Sequence, residues 1–298
     1  MLPARMIDEP PPRAVVLGAG GTLGAALAEG LPRAGWRVAA ALDRAACDVR
    51  DFDRLRAVLA EARPAAVFNA AAYTNVDRAE GEPDLAFAIN AEGAETVARA
   101  AAEAGAALVH YSTDFVFDGE SERPYDERDP PSPRGAYARS KALGDRLVAA
   151  AAPRHFILRV GGLYGRGGRN FPSTVVGRLR SGQTVRAERD RLCSPTWARE
   201  VAAVSAAIAA TPHPGLYHCT SQGETSWQSF ARAAAARLGL PPERVEGVPT
   251  SALPFKAPRP RRAVLDNRML RLLGLDRLSR WQDALDAFIV AETAPDPG

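Results

Sequence analysis

A tyrosine and a lysine four residues apart, Tyr137 and Lys141, stand near the start of a helical stretch. Side chains at this spacing lie on one face of a helix, one turn apart. An apolar run typical of a buried strand ends nearby in the chain at Thr113. A free phenol has a pKa near ~10, and a neighbouring cation lowers it. The three groups predict acid–base chemistry at a carbonyl, in which Thr113 holds the oxygen, Tyr137 supplies a proton and Lys141 activates the phenol.

The composition excludes several classes of protein. The chain has 298 residues, 46% of them hydrophobic, and a net charge of only +3, which favours one large α/β unit or two close subdomains and no nucleic-acid partner. No apolar run has the length of a membrane span. Three cysteines without a CxxC spacing indicate reduced thiols in a cytoplasmic protein. The proline-rich residues 1–12 are expected to be a disordered tail.

A glycine-rich turn follows the first apolar run, Arg13 to Leu17, and precedes a helical pattern. Strand, glycine turn and helix form the first unit of a dinucleotide-binding sheet, in which the backbone approaches the pyrophosphate and the helix N-terminus faces it. The residues of this turn that we predict to contact a cofactor are Gly18, Gly21, Thr22, Leu23 and Gly24.

The second strand, Trp36 to Leu42, ends at Asp43 and Arg44. An acidic residue about 20 positions after the glycine turn usually holds the adenosine ribose, whereas an arginine there suits a 2′-phosphate. The sequence therefore leaves NAD and NADP both open. Asp48 and Val49, in the next loop, are predicted to reach the adenine.

Small residues follow the third strand, Ala65 to Phe68, and let the backbone lie against a cofactor. We assign cofactor contacts there to Asn69, Ala70, Ala71 and Tyr73. A long helix is predicted from Leu85 to Ala104, and its Asn90 is assigned to the same site because an asparagine on the sheet side can brace strand ends.

The alternation of strands and helices up to residue 160 predicts a parallel, doubly wound α/β sheet. We therefore divide the chain into a Rossmann cofactor domain over 13–160 and a smaller α/β substrate domain over 161–292, with 198–220 returning to the first. A loop rich in proline and charge, from Asp114 to Gly135, is long enough to be a substrate lid.

Together these motifs resemble the extended short-chain dehydrogenase/reductases. The stretches Tyr73-Thr-Asn-Val-Asp-Arg-Ala-Glu80, Ser112-Thr-Asp-Phe-Val-Phe-Asp-Gly119 and Arg259-Pro260 narrow the resemblance to the dTDP-4-dehydrorhamnose reductase family. That family reduces a nucleotide-linked 4-keto sugar, dTDP-4-dehydro-L-rhamnose, to dTDP-L-rhamnose with NADPH or NADH, and we favour NADPH.

The resemblance implies further roles. Tyr137 and Lys141 also contact the cofactor, and a sugar-nucleotide substrate lies near Thr74, Val76, Ser112, Thr113, Asn170 and Arg259. The chain is expected to be a monomer or a homodimer. Some bacterial members dimerise through a carboxylate-bound Mg²⁺, a structural role that Glu200 matches by position, although we interpret Glu200 as a surface residue and predict no metal ligand.

The chain departs from the family pattern on the substrate side. Gly162 replaces a tryptophan that would pack on the sugar nucleotide, and Leu192 to Thr196 and Arg134 to Ala136 also differ. Two alternatives stay open. One is a reductase, epimerase or dehydratase acting on another sugar nucleotide, for which Asp114 is a possible acid–base group. The other is a non-catalytic NADP-binding regulatory subunit, which the presence of the full Thr113, Tyr137 and Lys141 set disfavours.

Overall fold

The computed structural model describes residues 10–167 and 171–293. Six parallel strands form the main sheet in the order β10-β5-β4-β3-β1-β2. These strands are β1 (Arg13–Leu17), β2 (Arg37–Leu42), β3 (Ala66–Asn69), β4 (Ala107–Thr113), β5 (His155–Val160) and β10 (Gly215–His218). The predicted parallel α/β fold is confirmed.

Helices cover both faces of this sheet, because each buries an apolar stripe against it. Helices α1 and α7 share one apolar core with the sheet, which includes Leu27 and Val201, and α2, α4 and α5 share the other, which includes Leu55 and Val97. The helices are α1 (Thr22–Arg33), α2 (Phe52–Ala62), α3 (Pro83–Phe87), α4 (Gly93–Glu103), α5 (Gly135–Ala151), α6 (Phe171–Arg180), α7 (Ala198–Ala209), α8 (Trp227–Arg237), α9 (Arg268–Leu272) and α10 (Trp281–Thr293).

Smaller sheets occupy the second half of the chain, in the orders β11-β8-β13, β12-β7 and β6-β9. Their strands are β6 (Leu163–Tyr164), β7 (Val185–Glu188), β8 (Leu192–Cys193), β9 (Thr196–Trp197), β11 (Thr225–Ser226), β12 (Val245–Val248) and β13 (Arg262–Ala263). Between them, α7 packs on the main sheet and β10 pairs with β5. The division into two domains at residue 160 stays a prediction.

The chain leaves β1 toward β2 on one side and returns to β3 on the other. Such a reversal opens a crevice at the carboxyl ends of the strands, where ligands bind in open parallel sheets. The glycine turn after β1 and Ala70 after β3 both lie at this crevice. The topology therefore places the cofactor motifs together.

The long helix predicted from Leu85 to Ala104 is interrupted. It consists of α3, a π-helical turn over Ala88–Glu92 and α4. A π turn inserts an extra residue into a helix and is often found at functional positions. Here it contains Asn90, which is buried and hydrogen-bonded to two other segments. A periodic apolar pattern cannot show such an insertion.

Two other segments bear on predictions from the sequence. The backbone oxygen of Pro12, the last residue of the predicted tail, accepts a hydrogen bond of 2.8 Å from Arg37 N, while residues 1–9 lie outside the described part. The disordered tail therefore stays a prediction. The loop after Thr113, the predicted substrate lid, packs against itself and against the C-terminal half of the chain. Phe117 stacks on Tyr125 with centroids 4.2 Å apart, and Tyr125 N donates to Val264 O.

Candidate active site

A cleft of about 740 Å³ lies at the reversal point of the sheet. It is lined by the glycine turn, the end of β2 and the segment after β3, so sequence-distant motifs meet there. The lining residues among those predicted for the cofactor are Gly18, Gly21, Asp43, Arg44, Asp48, Val49, Ala70, Ala71 and Tyr73. These residues could hold a dinucleotide along the ends of the strands.

Two glycines of the turn are required by close backbone packing. Gly18 has a φ of +75°, and a Cβ there would lie 2.6 Å from Ala71 N. A Cβ on Gly24 would lie 2.1 Å from Gly18 O, so Gly24 lets α1 approach the turn. Leu23 packs into the core, which leaves only its backbone for the cofactor, and Thr22 donates to Gly167 O at 2.7 Å.

The charged side chains at the end of β2 differ in how far other groups of the protein engage them. Asp43 Oδ1 accepts a hydrogen bond of 2.9 Å from Ala46 N, whereas the Arg44 side chain is 70% exposed and makes only a 3.8 Å ion pair with Asp48. A hydrogen bond from Arg50 holds the pKa of Asp48 at about 2, so Asp48 is an anion at neutral pH. The guanidinium of Arg44 is therefore the group here that is most available to an added phosphate.

Asn90 connects the cofactor segment to the catalytic helix. Its side chain accepts from Tyr73 N at 2.8 Å and donates to Tyr73 O and to Ser140 Oγ, both at 3.0 Å. Because all of these partners belong to the protein, Asn90 positions Tyr73 beside the cleft, and a direct cofactor contact by its side chain is not supported.

Thr113 ends β4 with its side chain buried beside Asp114. The Thr113 hydroxyl donates to Asp114 Oδ1 at 3.0 Å and accepts from Phe115 N at 3.2 Å. Burial raises the pKa of Asp114 to about 6, although Arg191 and the hydrogen bonds act in the opposite direction. Thr113 is thus held rigidly next to a carboxyl group that titrates close to neutral pH.

Tyr137 and Lys141 extend from the first two turns of α5 toward β4. Burial raises the pKa of Tyr137 to about 12, while the neighbouring Thr113 hydroxyl lowers it. Lys141 Nζ donates to Tyr111 O at 2.7 Å, and burial lowers its pKa to about 8. The expected lowering of the phenol pKa by Lys141 is therefore not observed, because burial dominates and Lys141 is not among the groups that shift this pKa. Tyr137 remains a protonated phenol at neutral pH, which is the form that a proton donor needs.

A buried polar cluster supports these residues from behind. Ser112 Oγ donates to Asp145 Oδ2 at 2.8 Å, and Arg159 Nε lies 3.4 Å from the same oxygen. The Ser112 hydroxyl is therefore engaged by the protein, and the predicted substrate contact of Ser112 is not supported. The charge of Asp145 favours the charged form of Lys141.

An aromatic and arginine-rich wall borders Tyr137 on the other side. The ring of Phe115 meets that of Tyr137 edge-on at 5.8 Å, and the Arg191 guanidinium lies 5.0 Å above the Phe115 ring. Arg259 packs on Phe255 at 4.3 Å and pairs with Asp77 at 2.8 Å. Two cations that could contact a phosphate group thus lie around Phe115, next to Tyr137.

The structure gives only the position and exposure of most remaining predicted residues. Thr74 is exposed and Val76 half-buried, both just before Asp77, and Asn170 lies outside the described residues. Glu200 is half-buried and accepts from Ser279 N at 3.4 Å. In residues 10–167 and 171–293, no cluster of three His, Cys, Asp or Glu side chains could hold a metal ion, so the structural Mg²⁺ that the resemblance raised has no support there.

Sequence reasoning missed three supporting residues. His110 lies with its Nε2 3.3 Å from Lys141 Nζ, Asp145 binds Ser112, and Arg191 covers Phe115. A signal for Asp145 was present, since it follows Lys141 by four residues and shares its helix face. His110 and Arg191 gave no such signal, because their contacts depend on how separate strands pack.

The fold and this site together define an NAD(P)-dependent oxidoreductase of the extended short-chain dehydrogenase/reductase type. Residues 13–293 match the family described as the RmlD substrate binding domain, and the chain belongs to that family. This confirms the resemblance inferred from the sequence.

Three similar proteins illustrate the range of the family. A dTDP-4-dehydrorhamnose reductase from Streptomyces griseus is 40% identical over 286 residues, which cover 94% of each chain. A probable dTDP-4,6-dihydroxy-2-methyloxan-3-one 4-ketoreductase from Streptomyces antibioticus is 38% identical, covering 95% of this chain and 98% of that protein. A crystal structure of dTDP-4-dehydrorhamnose reductase from Bacillus anthracis in complex with NADP has a TM-score of 0.91 at 33% identity, covering 94% of this chain and 99% of that one. No helix in the described part of the chain is long and apolar enough to cross a membrane.

Proposed function

We propose that this protein reduces the 4-keto group of a dTDP-linked 6-deoxysugar with NADPH, and that dTDP-4-dehydro-L-rhamnose is its substrate. The observation that supports the proposal is that the Tyr137 phenol lies within hydrogen-bonding range of the Thr113 hydroxyl, while Lys141, one helical turn further on, donates to the backbone of the same strand at Tyr111 O. The similar reductases from Streptomyces griseus and Bacillus anthracis support the same reaction class.

The residues of the chain divide the work of a ketone reduction. A bound NADPH would supply the hydride. Tyr137 donates a hydrogen bond to the carbonyl oxygen, which polarises it, and gives up its proton as the alcohol forms. Thr113 donates a second hydrogen bond to this oxygen when its hydroxyl turns away from Asp114 Oδ1. Lys141 in its charged form stabilises the resulting phenolate.

The test is the loss of reduced-nicotinamide absorbance when the protein is mixed with NADPH and dTDP-4-dehydro-L-rhamnose. We expect stoichiometric oxidation, and Tyr137→Phe should lower kcat by at least about 100-fold, the usual scale of acid–base catalysis. An epimerase or dehydratase would consume no net NADPH. Near-normal turnover by Tyr137→Phe would contradict the proposed role of the phenol.

A second candidate is the reduction of a different dTDP-linked keto sugar. Gly162 favours this candidate, because it replaces the tryptophan that the family pattern implies would pack on the sugar nucleotide. The Streptomyces antibioticus relative, whose name states another keto substrate, shows that this family includes such enzymes. Comparing kcat/KM for the two dTDP-keto sugars would separate the candidates.

A further inference from the structure

A series of hydrogen-bonding side chains leads from Lys141 into the centre of the main sheet. His110 Nε2 is 3.3 Å from Lys141 Nζ, and His110 Nδ1 is 3.4 Å from Asn69 Nδ2. Asn69 and His110 are direct neighbours in the register of β3 and β4, and both are at most 1% exposed. Asn69 Oδ1 accepts a hydrogen bond of 3.2 Å from Ala71 N, which lines the cofactor cleft.

The hydrogen-bond donors and acceptors of Asn69, His110 and Lys141 cannot all be paired at the same time. The Ala71 N–H occupies Asn69 Oδ1, so the amide of Asn69 presents its NH₂ group to His110. His110 Nδ1 must then accept, and the proton of a neutral imidazole must lie on Nε2. That Nε2–H faces Lys141 Nζ, which can accept it only as a neutral amine.

When Lys141 is charged, the unpaired donors face each other at the other nitrogen of the ring. A charged Lys141 carries only donors, so His110 Nε2 must accept and the ring proton moves to Nδ1. The Nδ1–H then faces the NH₂ group of Asn69. Burial and the charge of Lys141 hold the pKa of His110 well below its usual value, so a doubly protonated ring does not resolve the conflict.

We propose that His110 is a positioning residue whose tautomer is coupled to the protonation state of Lys141. Asn69, which donates to His110 Nδ1, favours the Nε2–H tautomer and therefore the neutral amine of Lys141. The catalytic consequence rests on the function proposed above. Only the ammonium form of Lys141 carries the positive charge that stabilises a phenolate, and it keeps one N–H beyond those directed at Tyr111 O and His110. The tautomer of His110 therefore determines whether Lys141 can act on the phenolate of Tyr137.

Other charged groups around Lys141 act on the same equilibrium. Asp145, on the same helix, favours the ammonium, and Arg159 from β5 pairs with Asp145 and moderates its effect. Asp114 acts on Tyr137, whose phenol is neutral at these pH values. None of these groups contacts the His110 ring among the described hydrogen bonds, so its tautomer reports on Lys141 and Asn69 alone.

The first test uses the free protein and needs no substrate. The chain has four histidines, and two-bond ¹H–¹⁵N spectra of protein labelled at histidine distinguish their tautomers, with His110→Gln assigning the signal. We expect His110 to carry its proton on Nε2 at high pH and on Nδ1 at low pH, with a midpoint near the Lys141 pKa of about 8. A single tautomer throughout the titration would overturn the proposal, whether or not the protein reduces a keto sugar.

The second test is Asn69→Asp, which keeps an acceptor for Ala71 N–H and offers another to His110 Nδ1–H. We expect this variant to hold the Nδ1–H tautomer at all pH values and to raise the pH at which kcat/KM declines by at least about one unit, or tenfold in proton concentration. The control is Asn69→Asp combined with His110→Gln. An equal shift in that background would mean that the new charge acts directly, which would contradict a role for His110.

Discussion

The carboxylate of Asp77 and the guanidinium of Arg259 lie 2.8 Å apart, although 182 positions separate them in the chain. Asp77 also accepts hydrogen bonds from Lys256 N at 2.7 Å and Ala257 N at 3.0 Å. The segment after β3 is thereby tied to the C-terminal segment that borders the catalytic tyrosine. The Arg259 side chain is only 8% exposed, so its charge depends on this partner.

We expect Asp77→Asn to lower the free energy of unfolding by about 1–3 kcal/mol, because a largely buried cation loses its counter-ion. Urea-induced unfolding measures the change. The matched control is Glu29→Gln, which removes the exposed Glu29–Arg33 pair and should cost less than about 1 kcal/mol. Equal effects of the two variants would show that the Asp77–Arg259 pair contributes no more than a surface pair.

The main sheet and its reversal point were predictable because their signals are local. Apolar runs that end at a glycine turn or at Asn69 indicate strands without reference to the rest of the chain. Asp51 likewise caps α2 locally, accepting a hydrogen bond of 2.9 Å from Arg54 N. Such features depend on a few neighbouring residues. They do not depend on how distant segments pack.

The parts that sequence reasoning missed depend on packing across the molecule. The π turn contains Asn90, whose side chain bonds both Tyr73 and Ser140, two residues far from it in the chain. The high pKa of Tyr137 follows from its burial, which no spacing reveals. Sequence patterns identify Thr113, Tyr137 and Lys141, and the structure adds the residues packed around them and their protonation states.

A second prediction concerns the pH dependence of stability at Asp114. Burial raises its pKa in the folded protein to about 6, above the ordinary value of 3.8. The folded state therefore binds the proton more tightly than the unfolded state, and stability falls as pH rises through this range. Above pH ~6 the buried carboxylate costs about 2–3 kcal/mol.

Asp114→Asn should therefore raise the free energy of unfolding near neutral pH and have a much smaller effect near pH ~4. Unfolding curves of both proteins at the two pH values measure this difference. Stabilisation of equal size at both pH values would contradict the assignment to ionisation, since the carboxyl group is neutral in acid. Loss of turnover in the same variant would be a separate effect on Thr113, whose hydroxyl donates to Asp114.

A third prediction concerns the choice of cofactor. Because the Arg44 side chain is 70% exposed beside the dinucleotide cleft, it is free to meet a 2′-phosphate. We expect Arg44→Ala to weaken NADPH binding by about 10- to 100-fold, equivalent to about 1.4–2.8 kcal/mol, and to leave NADH binding nearly unchanged. Titration of both cofactors measures the two dissociation constants.

Asp43→Asn is the control at the adjacent position, since it removes charge from the residue suited to a ribose hydroxyl. It should weaken NADH binding and leave NADPH binding equal or stronger. Equal weakening of both cofactors by Arg44→Ala would indicate that Arg44 only shapes the loop.

The last prediction concerns Gly162, which stands where the family pattern given above has a tryptophan. Gly162 has a φ of +55°, and a Cβ there would lie 3.0 Å from Pro195 Cα. Both features oppose any side chain, so Gly162→Ala should destabilise the protein by about 1–2 kcal/mol. Thermal or urea unfolding measures the loss.

Gly177 is the matched control, because it lies in α6 and a Cβ there would meet nothing within 4 Å. Gly177→Ala should stabilise the protein by about 0.5–1 kcal/mol, since alanine favours a helix interior. A neutral or stabilising Gly162→Ala would show that this loop tolerates a side chain. The predicted loss would show that the positive φ of Gly162 and its close packing against Pro195 require a glycine at this position.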